Sequence, residues 1–282
     1  MDSLYLIYIF IVGACVGSFI NVVALRYGTG LSSISGRSEC FQCGKELRWY
    51  ELIPVISFFI QRGKCRACGT SLPWRYLLVE MLSGVLFVGI ALRQYYYWPI
   101  YSGFEHGLLF SVLFFVFYAV IFSLLLAIVL YDVRHMIIPD TWVYTFIFLS
   151  LLKLGAFVYC KGFILTRADF FDVSAWIILF LPFAILWFIS SGKWIGFGDA
   201  KLALGIGALL GFVSGISSII LAFWIGAVWS VGMLIWKHTR QGNTEVTLQS
   251  EVPFAPFLVI ATAIVFFTHI DVLNIGYLID IL

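Results

Sequence analysis

The chain has 282 residues and a formal net charge of +2; 62% of its residues are hydrophobic and only 11% are charged. Its mean hydropathy is +1.03. So few charges leave too little polar surface for a water-soluble particle, and the composition excludes a disordered chain, a collagen-like repeat and a nucleic-acid-binding protein. The chain is therefore predicted to be an all-α polytopic membrane protein that contacts lipid.

The first apolar run, residues 4–25, is uncharged and long enough to cross about 30 Å of hydrocarbon as a helix. A signal peptide would carry basic residues before such a run, but here Asp2 precedes it and Arg26 follows it. The run is therefore predicted to be a transmembrane helix. Seven further spans bring the total to about eight, over residues 76–98, 107–131, 140–160, 172–190, 202–216, 217–236 and 254–276. The sixth and seventh form one apolar stretch, interrupted only by Gly211, Ser214, Gly215 and Ser217.

The distribution of basic residues predicts the orientation of these spans. With the N-terminus outside, all but four of the 17 Lys and Arg residues face the cytoplasm, the exceptions being Arg93, Lys153, Lys161 and Arg167. The cluster 95–98, Tyr-Tyr-Tyr-Trp, is typical of an aromatic belt at the outer end of the second span. Residues 26–75 then form a small polar cytoplasmic module between the first two spans.

This module contains two C-x-x-C motifs separated by 21 residues, each followed by glycine. The motifs supply four thiolates that can surround one zinc ion: Cys40, Cys43, Cys65 and Cys68. A closed four-cysteine set predicts a structural zinc rather than a catalytic one. The alternatives are two disulfides, which a cytoplasmic location disfavours, and a redox dithiol, which needs no second pair.

Two acids are predicted to lie at the same depth, at the cytoplasmic boundary. Asp132 closes the third span, and Asp199 opens the sixth in the sequence Gly-Phe-Gly-Asp. Taken alone, Asp199 can be a helix-capping acid and Asp132 a partner of Arg134. Together, two neighbouring carboxyls can act as general acid and general base on a peptide bond. Asp140 is predicted only to start a helix.

With these motifs in place, the chain resembles the bacterial prepilin peptidases, the type IV leader peptidase family of G-x-G-D membrane aspartic proteases. The resemblance extends over almost the whole length. It rests on six sequence blocks in order, at residues 17–26, 40–68, 75–80, 132–140, 196–202 and 253–257. Phe41 and Ala255 depart from the residues usual in the family, proline and glycine respectively.

The resemblance implies that Asp132 and Asp199 are the catalytic dyad and that prepilins or type II secretion pseudopilins are the substrates. It also implies methylation of the new N-terminus with S-adenosylmethionine. We therefore expect a first transmembrane helix (1–25), a four-cysteine zinc module (26–75) and a seven-helix catalytic domain (76–282), in a multi-pass protein of the bacterial inner membrane. The residues that bind the methyl donor are not predicted. Glu80 either is a snorkelling or paired acid near the cytoplasmic interface or contacts the basic leader or the methyl donor.

Two other classes of protein share some of these features. A transporter could use Glu80, Asp132 and Asp199 as a cation or proton relay, but it predicts acids near the middle of the membrane and an inverted repeat, and the sequence has neither. A presenilin-type intramembrane protease shares the G-x-G-D motif but has no need of the cysteine module. The leader peptidase accounts for all the motifs.

Overall fold

The computed structural model describes residues 3–101, 103, 106–241 and 252–277, and over these residues the protein is helical, with only isolated β-bridges. The helices are α1 (Ser3–Arg26), α2 (Ile56–Ile60), α3 (Arg75–Tyr101), α4 (Gly107–His135), α5 (Asp140–Cys160), α6 (Arg167–Ser190), α7 (Phe197–Leu210), α8 (Phe212–Gln241) and α9 (Ala255–Thr268). Within the described residues, α1, α3, α4, α5, α6 and α8 are long and apolar enough to cross a membrane. The all-α polytopic prediction is thus confirmed.

The predicted sixth and eighth spans are the 14-residue helices α7 and α9. At about 1.5 Å per residue, each is about 21 Å long and shorter than a bilayer's hydrocarbon core. The described residues therefore do not establish the predicted count of eight spans. The chain divides into two compact units, Met1–Leu130 and Tyr131–Leu282.

In the first unit, α1 packs against α3 through small residues. A Cβ atom on Gly13 would lie 2.8 Å from the Cβ of Phe87, and one on Gly17 would lie 3.0 Å from the Cα of Glu80. The Ser83 hydroxyl donates a hydrogen bond of 2.7 Å to the carbonyl of Gly13. Because these glycines let the two backbones approach closely, side chains next to Gly17 are brought beside the start of α3.

In the second unit, α7 is the central helix and packs against α5, α6, α8 and α9. Its middle, from Gly205 to Leu209, is buried. A Cβ atom on Gly205 would collide with Phe146 of α5, and one on Gly207 would lie 2.6 Å from the carbonyl oxygen of Ala175 of α6. Small residues therefore allow the middle of α7 to be enclosed by its neighbours.

Two predicted boundaries are wrong. The division between the sixth and seventh spans falls at Gly211, not at residues 216 and 217. Gly211 has φ 82°, and the Phe212 amide donates a hydrogen bond of 2.8 Å to the Asp172 side chain. The last helix ends at Thr268 rather than at 276, because His269 adopts a left-handed conformation with φ 54° that terminates it.

Candidate active site and cysteine cluster

Asp132 lies in the last turn of α4 and is buried, with 5% of its surface exposed. One of its carboxylate oxygens accepts a hydrogen bond from the backbone amide of Ala255. That amide belongs to the first turn of α9, where backbone N–H groups have no partner inside the helix. The other oxygen, Oδ2, is buried and has no hydrogen-bond partner among the described residues. A buried carboxylate oxygen without a donor is available to a water molecule or a substrate.

Asp199 lies in the first turn of α7, and its carboxylate is close enough to interact electrostatically with that of Asp132. It also accepts a hydrogen bond from the backbone amide of Gly196, the N-cap residue of α7. The capping role considered for Asp199 is therefore present, and it coexists with the pairing to Asp132. The two acids, far apart in sequence, are brought together as predicted.

The Gly-Phe-Gly segment before Asp199 positions the start of α7. The Phe197 ring packs 4.9 Å from the Trp187 ring of α6, between centroids. A Cβ atom on Gly198 would lie 3.0 Å from the Cβ of Ile138, in the segment that follows α4. The glycine thus lets the chain after Asp132 approach the turn that carries Asp199.

A basic residue two positions after Asp199 is held by another acid. Lys201 forms an ion pair with Asp140, the first residue of α5. The ammonium of Lys201 also lies 4.7 Å from the centroid of the Tyr144 ring. Sequence reasoning assigned Asp140 only a helix start and missed this contact, since nothing in the local pattern links positions 140 and 201.

The four predicted metal ligands meet in one cluster, in which the sulfur atoms of Cys40, Cys43, Cys65 and Cys68 all lie within 4.8 Å of one another. The two motifs fold alike: Gly44 donates to the carbonyl of Cys40 and Gly69 to that of Cys65, each at 2.9 Å, and both glycines have positive φ. The Cys40 and Cys68 sulfurs are 3.8 Å apart. A tetrahedral site with metal–sulfur bonds of about 2.3 Å requires sulfurs about 3.8 Å apart, so the cluster could hold a metal ion.

The thiols of the cluster differ in pKa. The hydrogen bond from the Lys45 amide is outweighed by burial and by the neighbouring Cys40 and Cys68, which raise the pKa of Cys43 to about 11. The pKa of the Cys40 thiol is lowered, chiefly because the backbone amides of Cys43 and Gln42 donate hydrogen bonds to its sulfur. The pKa of Glu51 is lowered, first because its carboxylate accepts the backbone amide of Arg48 at 2.8 Å, and further because Lys45 lies 3.4 Å away. Glu51 is thus a paired acid that holds the segment between the two cysteine motifs.

Glu80, the remaining acid considered from the sequence, lies in the second turn of α3 and is 9% exposed. It accepts hydrogen bonds from the Val55 amide at 2.7 Å and from the Ser18 hydroxyl. Neither donor is charged, and among the described residues Glu80 forms no ion pair. The hydrogen-bond partners of Glu80 are therefore neutral, and its role stays a prediction.

Fold and site together define a class, a helical membrane protein with two neighbouring carboxylates and a cluster of four cysteines. Two family models match the chain, the bacterial peptidase A24 N-terminal domain over residues 11–94 and the type IV leader peptidase family over residues 119–231. The chain belongs to the type IV leader peptidase family and is an enzyme of the prepilin peptidase type.

Similar proteins include the prepilin leader peptidase/N-methyltransferase of Myxococcus xanthus, 29% identical over 90% of this chain and 70% of the relative. The protein of that name in Pseudomonas aeruginosa is 27% identical over 89% of this chain and 86% of the relative. The one in Bacillus subtilis is 29% identical over 88% of each. No solved structure matches the chain.

Proposed function

We propose that Asp132 and Asp199 are the catalytic dyad with which the chain removes the leader peptides of type IV prepilins or type II secretion pseudopilins. The observation that carries the proposal is the buried Oδ2 of Asp132, which has no donor among the described residues and lies beside a second carboxyl. The backbone amides of Ala255 and Gly196 hold the two acids in place without neutralising them.

Such a pair can share one proton and so provide an acid and a base at once. The ionised carboxylate takes a proton from water as the water oxygen attacks the scissile carbonyl carbon. The protonated carboxyl gives its proton to the leaving amide nitrogen as the carbon–nitrogen bond breaks. Two such carboxyls titrate as a unit, so their pKa values belong to the pair rather than to either residue.

We also propose that the cysteine cluster binds one structural zinc ion. Four sulfur ligands leave no coordination position for water or substrate. Zinc, when bound, would therefore stabilise the fold of the module and take no part in a reaction. Residues 26–75 contain only short helical turns between α1 and α3, and a module of this size buries too little apolar surface to be stable without a metal or another cross-link.

The third proposal is that the chain methylates the new N-terminus, as the names of its relatives say of those proteins. When bound, S-adenosylmethionine supplies a methyl group to the pilin amine, which loses a proton, and S-adenosylhomocysteine leaves.

The last part of the proposal concerns the orientation of the chain in the bacterial inner membrane. The distribution of Lys and Arg supports an N-terminus on the outer side of this membrane and a dyad at its cytoplasmic face.

The experiment that tests the peptidase is incubation of the purified protein with a prepilin, followed by mass measurement of the product. Loss of the basic leader as one intact peptide supports the proposal, and an unchanged prepilin contradicts it. Labelled methyl transfer from S-adenosylmethionine to a pre-cleaved pilin tests the second activity independently.

A further inference from the structure

A cavity of about 270 Å³ lies within the first compact unit, between α1, the cysteine module and the start of α3. The volume is close to the lower end, about 300 Å³, of sites that bind small molecules. Its lining mixes apolar side chains with polar groups contributed by all three elements. The polar groups include Ser18, Asn21, Glu51, Gln61, Tyr76 and Glu80. None of these belongs to the proposed dyad.

Glu80 is the buried acid in this lining whose hydrogen-bond donors are all neutral. Its carboxylate is almost fully buried, yet its donors are the Val55 amide and the Ser18 hydroxyl, and no basic side chain pairs with it among the described residues. The other acid of the cavity that is buried, Glu51, already has Lys45 as its partner. A buried carboxylate is costly unless a cation compensates it, so the cavity suits a positively charged ligand.

The backbone at Val55, whose amide donates to Glu80, is strained. Val55 has φ 63° and ψ −56°, a conformation that β-branched residues rarely adopt. The Ile56 amide donates to the carbonyl of Pro54 at 2.6 Å, which makes the segment a γ-turn centred on Val55. This turn directs the Val55 amide at Glu80. Backbone strain of this kind persists where surrounding contacts impose it and is frequent at ligand sites.

The cavity also shares residues with the cysteine cluster. Cys40 and Cys65 line it as well as contributing to the four-sulfur set. Three aromatic side chains, Phe41, Phe58 and Tyr76, also line the cavity and can contact a planar heterocycle. Arg26 also lines the cavity, but its guanidinium donates to the backbone carbonyls of Ser32 and Arg37. The lining thus combines an acid, aromatic surfaces and amide groups, which fits a ligand with a cationic centre and an aromatic base.

We infer that this cavity binds S-adenosylmethionine, with Glu80 as the counter-ion of its sulfonium. The inference rests on the proposed methyltransferase activity and assigns that activity a site. The sulfonium carries a fixed positive charge, whereas the product S-adenosylhomocysteine has a neutral sulfur at the same position. Glu80 therefore favours the methyl donor over the product, and the cysteine module shapes the wall of the site.

The test is equilibrium binding of both compounds to the full-length, zinc-loaded protein in detergent. The unmodified protein should bind S-adenosylmethionine more tightly than S-adenosylhomocysteine. Glu80→Gln keeps an acceptor for the Val55 amide but removes the charge. It should weaken binding of S-adenosylmethionine by about tenfold or more while leaving that of S-adenosylhomocysteine nearly unchanged. Glu46→Gln is the matched control, because Glu46 is an exposed acid paired with Arg37.

Equal weakening of both compounds in Glu80→Gln, or no weakening of either, would overturn the inference. If the unmodified protein methylates pilin in spite of such a result, the methyltransferase stands and only its site is wrong. If the unmodified protein neither binds the donor nor transfers methyl groups, the proposed activity fails as well.

A second measurement needs no variant. Labelled S-adenosylmethionine is cross-linked to the unmodified protein by irradiation, and the labelled peptides are identified. Label in peptides that contain Asn21, Phe58 or Tyr76 is expected. Label confined to residues 131–282 would overturn the inference.

Discussion

Lys201 forms an ion pair with Asp140, which binds the start of α7 to the start of α5 only two residues beyond Asp199. The pair gives the ammonium a partner other than the proposed dyad. Asp140 is largely exposed, whereas Lys201 is largely buried. The interaction therefore positions the turn that carries Asp199 rather than taking part in the reaction.

The Asp140→Asn variant should accordingly retain substantial peptidase activity. Partly exposed ion pairs contribute about 1 kcal/mol or less to the stability of a structure. Losing this one should therefore lower the rate of leader removal by less than about tenfold. The measurement is the initial rate of prepilin cleavage by the purified variant. Complete loss of cleavage in a folded variant would give Asp140 a direct part in the chemistry and contradict this account.

Metal analysis tests the cysteine cluster. Protein purified without chelator should contain about one zinc per chain, and Cys43→Ser or Cys68→Ser should lose the metal, because each removes one of four ligands. The loop 26–75 of these variants should become more sensitive to protease. Cys15→Ser and Cys160→Ser are the controls, since these cysteines lie outside the cluster. Metal-free wild-type protein would argue for free thiols or disulfides.

The lowered pKa of Glu51 predicts how the module responds to acid. Arg48, through its backbone amide, Lys45 and Arg66 favour the ionised form in the folded state. The stabilisation is therefore fully present above the unfolded pKa, about 4.3, and is lost as pH falls through the lower folded value. Glu51→Gln should make the module more sensitive to protease at neutral pH, and this difference from wild type should vanish in strong acid. A difference that is independent of pH would contradict the ionic role of Glu51.

The two proposed activities should be separable by substitution. Asp132→Asn should abolish cleavage but spare methylation of a pre-cleaved pilin, because methyl transfer does not require the dyad. Substitutions in the module, at Glu51 or the cysteines, should impair methylation at least as much as cleavage. The measurement is labelled methyl transfer to mature pilin by each variant. Loss of transfer in Asp132→Asn would mean that the two sites are not separate.

The membrane helices were predictable because hydropathy is a property of each segment alone. The bounds predicted for the fourth span, 140–160, are those of α5. The break between α7 and α8 was not predictable, since Gly211, Ser214, Gly215 and Ser217 are all plausible breakers. What selects Gly211 is the Asp172 side chain, which is distant in sequence and accepts the Phe212 amide.

In the candidate site, too, some features were predictable from the sequence and others depend on packing. The motifs predicted which acids and cysteines would meet, and the structure brings both sets together. The Ala255 amide on Asp132 and the Val55 amide on Glu80 could not be predicted. Both are backbone donors, and their positions depend on how the helices and turns pack rather than on the identity of the side chains.

The most direct test of the proposed dyad compares three aspartates by prepilin cleavage. Asp132→Asn and Asp199→Asn each remove one carboxyl while keeping its size, and cleavage should vanish in both. Asp169→Asn is the matched control, because Asp169 is also a first-turn acid that bonds back to its N-cap residue, Thr166 in α6. We expect leader removal by wild type and Asp169→Asn only. Near-normal cleavage by Asp199→Asn would contradict it.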